Sequence, residues 1–328
     1  MKTLQLVKYG EIKDSLAFNE VSKPTVQVKD VLIEVKAAAI NPIDKYIILG
    51  NLQGMIPIPL PSTIAYDVSG IVVEKGEEVS NFEIGDLVYS RVPQDQMGTI
   101  AEYVAVTSVA VSKKPENISF EEAASIPLAG LTAMQSLEYA GIKENDKVLI
   151  HAGSGGVGSL AIQYAKAKGA YVYTTTSTDN VKWVKKLGAD RVIDYKTEDY
   201  KTIVKNADIV FDTLGGNYSS EAFQVIRQGG KVISVAGPLD EEIAAMFGMA
   251  DYKLPEELAK QIRAKAATYK YIFMHPNGAH LSQIKSLVED EKIKPVIDKV
   301  YPFSESIEAF SHLASGRAKG KIVIKINH

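Results

Sequence analysis

Three glycines at positions 153, 155 and 158 fit the spacing G-x-G-x-x-G within Gly153-Ser154-Gly155-Gly156-Val157-Gly158. That spacing serves the binding of a dinucleotide pyrophosphate. The first glycine allows a tight turn, the second lets backbone approach the phosphates, and the third packs helix on strand. The context agrees: Lys147-Val148-Leu149-Ile150-His151 reads as a strand entering the turn, and Ser159–Lys168 as an apolar helix leaving it. The helix N-terminus adds unpaired N–H groups and a favourable dipole. Gly153, Ser154, Gly155, Gly156, Val157 and Gly158 are therefore the first binding candidates.

The next strand end decides which dinucleotide. A ribose-binding acid belongs roughly 20 residues after the motif begins. Tyr173-Thr174-Thr175-Thr176-Ser177-Thr178 stands there without a carboxylate. Asp179 is the first acid, and Asp179-Asn180-Val181-Lys182 reads as a helix N-cap. With no acid to repel a 2′-phosphate and with hydroxyls to donate to it, NADP(H) is favoured over NAD(H). Thr176, Ser177 and Lys182 are the candidates at that end. Leu214-Gly215 and Ala236-Gly237 end consecutive predicted strands, where ligands dock in such sheets.

The elements that must position these residues come in two textures. Up to about residue 112 short β-branched runs alternate with turns, as in Val31–Val35, Val68–Val73 and Leu87–Ser90. This predicts a small antiparallel, barrel-like β domain. Pro57, Pro59 and Pro61 make their stretch an extended loop. From about residue 120 strands and helices alternate. Glu121–Tyr139 reads as helical with an interruption near Pro127, and Val181–Leu187 as a helix. Strands are expected at 147–151, 171–174, 191–194, 209–212 and 231–235, and a final one at 320–326. That order predicts a doubly wound parallel sheet.

At 328 residues the chain holds about two domains. Apolar residues make up 46% and charged residues 23%, ordinary globular usage. A net charge of −3 gives no electrostatic footprint for nucleic acid or an anionic membrane. The absence of cysteine excludes disulfides, thiolate zinc sites, iron–sulfur clusters and a cysteine nucleophile. The first residues lack a signal-peptide apolar stretch, and no run is long enough to span a bilayer. A cytoplasmic location is expected.

Taken together, Asn41-Pro42-Ile43-Asp44, Asp67-Val68-Ser69-Gly70, Gly85-Asp86-Leu87-Val88, Pro127–Ala133, the glycine motif, Leu187-Gly188-Ala189-Asp190 and Gly320-Lys321-Ile322-Val323 match a family along essentially the whole chain. The sequence resembles the medium-chain dehydrogenase/reductases, in their zinc-free quinone oxidoreductase and enone reductase branch. The resemblance implies an α/β protein: a GroES-like β-barrel catalytic domain at 1–123 and 292–328, and a Rossmann domain at 124–291. Substrate and nicotinamide are expected to meet in the cleft between them.

Zinc-dependent relatives hold their metal with a cysteine, a histidine and a further cysteine or acid. The matching positions here carry Asn41, Tyr66 and Leu128, and asparagine and leucine are not zinc ligands. Of the five histidines, only His275 and His280 approach ligand spacing; they read as a polar loop. No metal is expected. Without a Lewis acid to stabilise an alkoxide, the remaining chemistry is hydride transfer to a quinone or to the C=C bond of an α,β-unsaturated carbonyl.

Catalytic candidates are Asn41, Tyr46 and Tyr66. Asn41 would hold the carboxamide or substrate, or simply make a turn before Pro42. Tyr46 would orient the substrate oxygen or relay a proton, or pack on the core; Asp44 reads as a turn or cap carboxylate. Tyr66 would narrow the cleft, beside Ala65 where glycine is common in relatives. By resemblance Thr132 contacts the nicotinamide, and Lys319 or Lys321 approaches the cofactor. Where many relatives carry a phosphate-binding lysine this chain has Asn180, which makes Ser177 the foremost phosphate candidate. The competing reading is an NADPH-binding redox sensor or structural protein with little turnover. Tyr269–Met274 is expected as the last Rossmann strand, pairing across a homodimer.

Overall fold

The computed structural model describes residues 1–326; His328 lies outside them. Two compact units form. One comprises Met1–Leu131, His275–Glu291 and the segment from Pro295 onward; the other comprises Thr132–Met274 and Lys292–Lys294.

The first unit is built around the long strand Asp30–Ile40. Its nearly continuous burial, with Val31, Leu32, Ile33 and Val35 all shielded, marks it as a sheet centre, and register shifts at Leu32/Ile33 and Val35/Ala37 mark bulges. Bulges bend a strand and increase its twist. The first half of this strand pairs with Tyr103–Thr107, and its second half with Lys321–Lys325. Asp67–Lys75 lies along its other edge, followed outward by Leu87–Arg91 and Val111–Lys113. The pairing is antiparallel as expected, except that Ile297–Pro302 joins Lys321–Lys325 in parallel. Ala37 and Ala39, being small, let Ala124 of the helix Phe120–Ala124 pack close to the sheet together with Val323.

The second unit carries a six-stranded parallel sheet in the order 191–194, 171–176, 147–150, 207–212, 226–234, 268–271. The chain winds outward from Lys147–Ile150 in one direction and then in the other. The switch point therefore lies beside that first strand, where ligands of such sheets dock. Thr268–Tyr271 is an edge strand that begins one residue before and ends three residues before the expected Tyr269–Met274.

Three local expectations are corrected. The helix after the glycine motif spans Gly156–Ala167, beginning three residues earlier than Ser159. Low glycine propensity hid that turn, yet close packing demands glycine there. Asp179 caps nothing: it sits inside the single 3-10 turn Thr178–Asn180, and the following helix Val181–Lys185 has no side-chain cap. His280 belongs to the helix Gly278–Glu289 rather than to a loop, because Asn277 accepts its backbone N–H at 2.9 Å and starts the helix there.

Candidate functional site

In the second unit the glycine turn is held against the neighbouring strand. Gly153 N–H donates to the Thr175 carbonyl at 2.9 Å, and Ala152 N–H to Thr175 Oγ1 at 3.2 Å. The left-handed residue of the turn is Ala152, at φ 51°, not a glycine. Gly153 is needed instead for approach: a Cβ there would lie 2.2 Å from Thr174 Oγ1. Gly158 is needed likewise, with the Ala152 carbonyl oxygen 2.2 Å from its missing Cβ. Gly155 differs. A Cβ on it would meet only the Ala152 oxygen at 3.4 Å, and no side chain caps the helix that starts beside it. The helix N-terminus thus stands behind an open glycine face, the shape that an anion-binding turn requires.

Around this turn lie buried polar groups. Thr176 Oγ1 and His151 Nε2 are buried without a hydrogen-bond partner. Burial pushes His151 down to about 4, so its ring is neutral, packed edgewise against Tyr200 and Tyr218. The sheet end also carries Asp212, fully buried, which accepts from the N–H groups of Leu214 and Gly215 and from Ser219 and Ser234 Oγ. Gly215 and Gly237 allow the two loops to touch, since Cβ atoms there would strike the Ala236 carbonyl at 2.0 Å and Ser219 Oγ at 2.2 Å.

At the ribose end Ser177 accepts a 3.0 Å bond from Asn180 Nδ2, and Trp183 Nε1 donates to Asn180 Oδ1 at 3.0 Å. Lys182 lies on the adjoining helix. Sequence reasoning missed Tyr195. Its N–H donates to the Thr176 carbonyl at 3.1 Å, and its ring is 55% exposed at the end of the neighbouring strand. Only the parallel pairing of 171–176 with 191–194 brings it there.

In the first unit Asn41 lies between the strand Asp30–Ile40 and the helix Pro42–Ile48, where Pro42 suits the opening helical position. Asp44 accepts the Asn41 backbone N–H at 2.7 Å, closing the turn as a cap. It is also buried, its Oδ1 has no partner, and burial raises it to about 7 against the pull of that bond. Asn41 Nδ2 donates to Asp67 Oδ2 at 2.9 Å. Lys321 Nζ donates to the same oxygen at 2.9 Å and also to Asn41 Oδ1. The other oxygen of Asp67 accepts the Leu128 N–H at 2.7 Å. Tyr66 is fully buried, donates to Gln94 Oε1 at 2.6 Å, and carries the Arg91 guanidinium 4.5 Å above its ring. Burial holds its hydroxyl well above the ordinary phenol range. Ala65 before it has φ 76°, the conformation glycine adopts freely.

The structure therefore joins Asn41 and Lys321 around Asp67, with Asp44 and Arg91 close enough to influence one another's charge. It leaves Tyr46 43% exposed on the helix, with Lys45 over its ring. Lys319 is exposed on the turn before Lys321, and Thr132 is buried in the helix Pro127–Tyr139. Among the described residues no group of three or more His, Cys, Asp or Glu side chains could hold a metal ion. Asn41, Tyr66 and Leu128, which the resemblance sets at the metal-ligand positions of zinc-dependent relatives, offer an amide, a phenol that resists ionisation and a leucine, a donor set that does not fit zinc. The Lys321 ammonium is bonded to the first of these, Asn41, and to Asp67.

A parallel sheet of this order with a glycine turn at its switch point defines a Rossmann-type architecture of the dinucleotide-binding class. Residues 27–116 match the alcohol dehydrogenase GroES-like domain, and residues 187–324 a family described as zinc-binding dehydrogenase. The chain is 34% identical to an NADPH-dependent alkenal/one oxidoreductase of Arabidopsis thaliana, over 99% of this chain and 79% of that protein. It is 32% identical to a chloroplast envelope quinone oxidoreductase homologue of the same plant, over 99% and 98%. The quinone oxidoreductase structure from Coxiella burnetii superposes with TM-score 0.88 at 33% identity, covering 100% of this chain and 99% of that one. The chain belongs to the medium-chain dehydrogenase/reductases, nicotinamide-dependent oxidoreductases, in their quinone oxidoreductase and enone reductase branch.

Proposed function

We propose that this protein is a zinc-independent, NADP(H)-dependent reductase of quinones or of the C=C bond of α,β-unsaturated carbonyls. The observation that carries the reading is the polar cluster in which Asn41 and Lys321 bond to Asp67, at a place whose amide, phenol and leucine do not suit zinc. Such a site suits a substrate whose conjugation spreads the incoming charge onto an oxygen, which hydrogen-bond donors then stabilise. The relatives named for alkenal/one and quinone substrates support the same classes.

When bound, the reduced nicotinamide supplies hydride. The helix that begins at Gly156 would hold its pyrophosphate, with Gly155 open toward it. Thr176, Ser177, Lys182 and Tyr195 would receive the ribose phosphate, since no carboxylate ends the strand Tyr171–Thr176. Asn41 would present the one Nδ2 hydrogen not bonded to Asp67 to the oxygen that gains charge. Thr268–Tyr271 ends the sheet with no strand on its outer side, which supports a homodimer joined through that strand, although the Tyr271 N–H there already donates to Asp240 Oδ2 at 2.9 Å.

The test is oxidation of NADPH and NADH with benzoquinone, a simple enone and a simple aldehyde. Turnover with NADPH on quinone or enone, but not aldehyde, is expected, and Ser177→Ala should raise the KM for NADPH several-fold while leaving NADH unchanged. NADPH binding without turnover on any acceptor would favour a sensor instead.

A further inference from the structure

The residues around Asn41 come from three adjacent strands at one end of a sheet. Ile322 lies opposite Ile40, so the register sets Lys321 beside Asn41; Asp67 faces Ala39 from the strand on the other side. All three side chains are nearly excluded from solvent, with Asn41 2%, Lys321 5% and Asp67 0% exposed.

The amide of Asn41 has one accepting and one donating end. Its oxygen takes a bond from the Lys321 ammonium, and its nitrogen gives one hydrogen to Asp67 Oδ2. A flipped amide would set its NH2 group against the ammonium and its oxygen against the carboxylate. Both attractive contacts would become repulsive, in a buried place where charge interactions are weakly screened. Asp67 itself cannot swing away, because Leu128 N–H holds Oδ1 while Lys321 holds Oδ2. The Lys321 and Asp67 charges cancel, which leaves a neutral rigid frame. One Nδ2 hydrogen of Asn41 is left beyond the bond to Asp67.

We propose that Lys321 and Asp67 are positioning residues that fix the Asn41 amide in one orientation, so that this remaining hydrogen is a directed donor to the oxygen of the bound carbonyl or quinone. The inference rests on the reading of the Asn41 cluster as the place where that oxygen is met. Neither residue touches substrate in this scheme; both act through Asn41.

The experiment compares wild type with Lys321→Met, Asn41→Ala and the double variant. Two readouts are used: enone kinetics with NADPH, and the Asn41 side-chain amide resonances, assigned by their loss in Asn41→Ala. Lys321→Met should lower kcat about tenfold or more with little change in KM. It should add nothing in the Asn41→Ala background, the signature of a residue that acts through another. The amide pair should exchange slowly with solvent hydrogen in wild type and quickly in Lys321→Met. If Lys321→Met does not fold, Asp67→Asn/Lys321→Met, which leaves no unpaired buried charge, takes its place. Equal losses in both backgrounds, or an amide pair unchanged by the substitution, would overturn the proposal. A wild-type enzyme that reduces neither enone nor quinone sinks the proposed reaction instead, and the amide signal still decides the orientation.

Discussion

Asp44 is the side chain through which pH acts on the candidate site. Burial is the main reason its carboxyl rises from 3.8 to about 7; Asp67 adds repulsion, while the Asn41 N–H, Lys321 and Arg91 oppose it. Between those two values the folded protein keeps a proton that the unfolded chain has lost. Stability conferred by Asp44 is therefore greatest near pH 4 and falls as pH rises toward 7, by about 1.4 kcal/mol per pH unit for a single proton. Asp44→Asn keeps an acceptor for Asn41 and removes the titration. Urea unfolding from pH 4.5 to 7 should show the wild type losing stability relative to this variant as pH rises. Parallel curves would refute the raised value. The cap role of Asp44 was readable from its place three residues after Asn41; its depth was not, because burial depends on Tyr66, Asp67, Arg91 and Lys321 arriving from distant segments.

At the scale of the element, the glycine turn separates residues needed for packing from one needed for a ligand. Gly158→Ala forces a Cβ onto the Ala152 backbone oxygen and should destabilise by about 2 kcal/mol or more, as other backbone clashes in close-packed regions do. Gly155→Ala has room and should unfold within a few degrees of wild type, yet bind NADPH about tenfold or more weakly because its methyl group occupies the phosphate face. Thermal unfolding and cofactor titration of the two variants distinguish the roles. Equal loss of binding and stability in both would mean that the turn serves packing alone. The spacing of the glycines announced this element, but their division of labour rests on Thr174, Ile162 and Ala152, which the sheet and helix bring against them.

At the scale of the whole molecule, the edge strand Thr268–Tyr271 leaves one row of backbone groups without a sheet neighbour. Light scattering at micromolar concentration should give twice the chain mass if two copies continue one another's sheet. A mass equal to one chain would rule out that pairing. The order of strands and helices was legible because local patterns carry it: glycines after Ile150, the branched run Val31–Val35, and the break near Pro127. Hydrophobic periodicity and turn chemistry act over a few residues, so the sequence by itself determined the two textures and the strand–glycine turn–helix unit at 147–167. Tertiary structure alone decided that Lys321, expected beside the cofactor, would be buried on Asp67 and Asn41. It also decided that Tyr195 would stand next to Thr176 and that Tyr46 would remain on an exposed helix face. Those outcomes depend on strand register between residues far apart in the chain, in one pair separated by 280 positions. No local pattern encodes which buried cation will meet which buried anion.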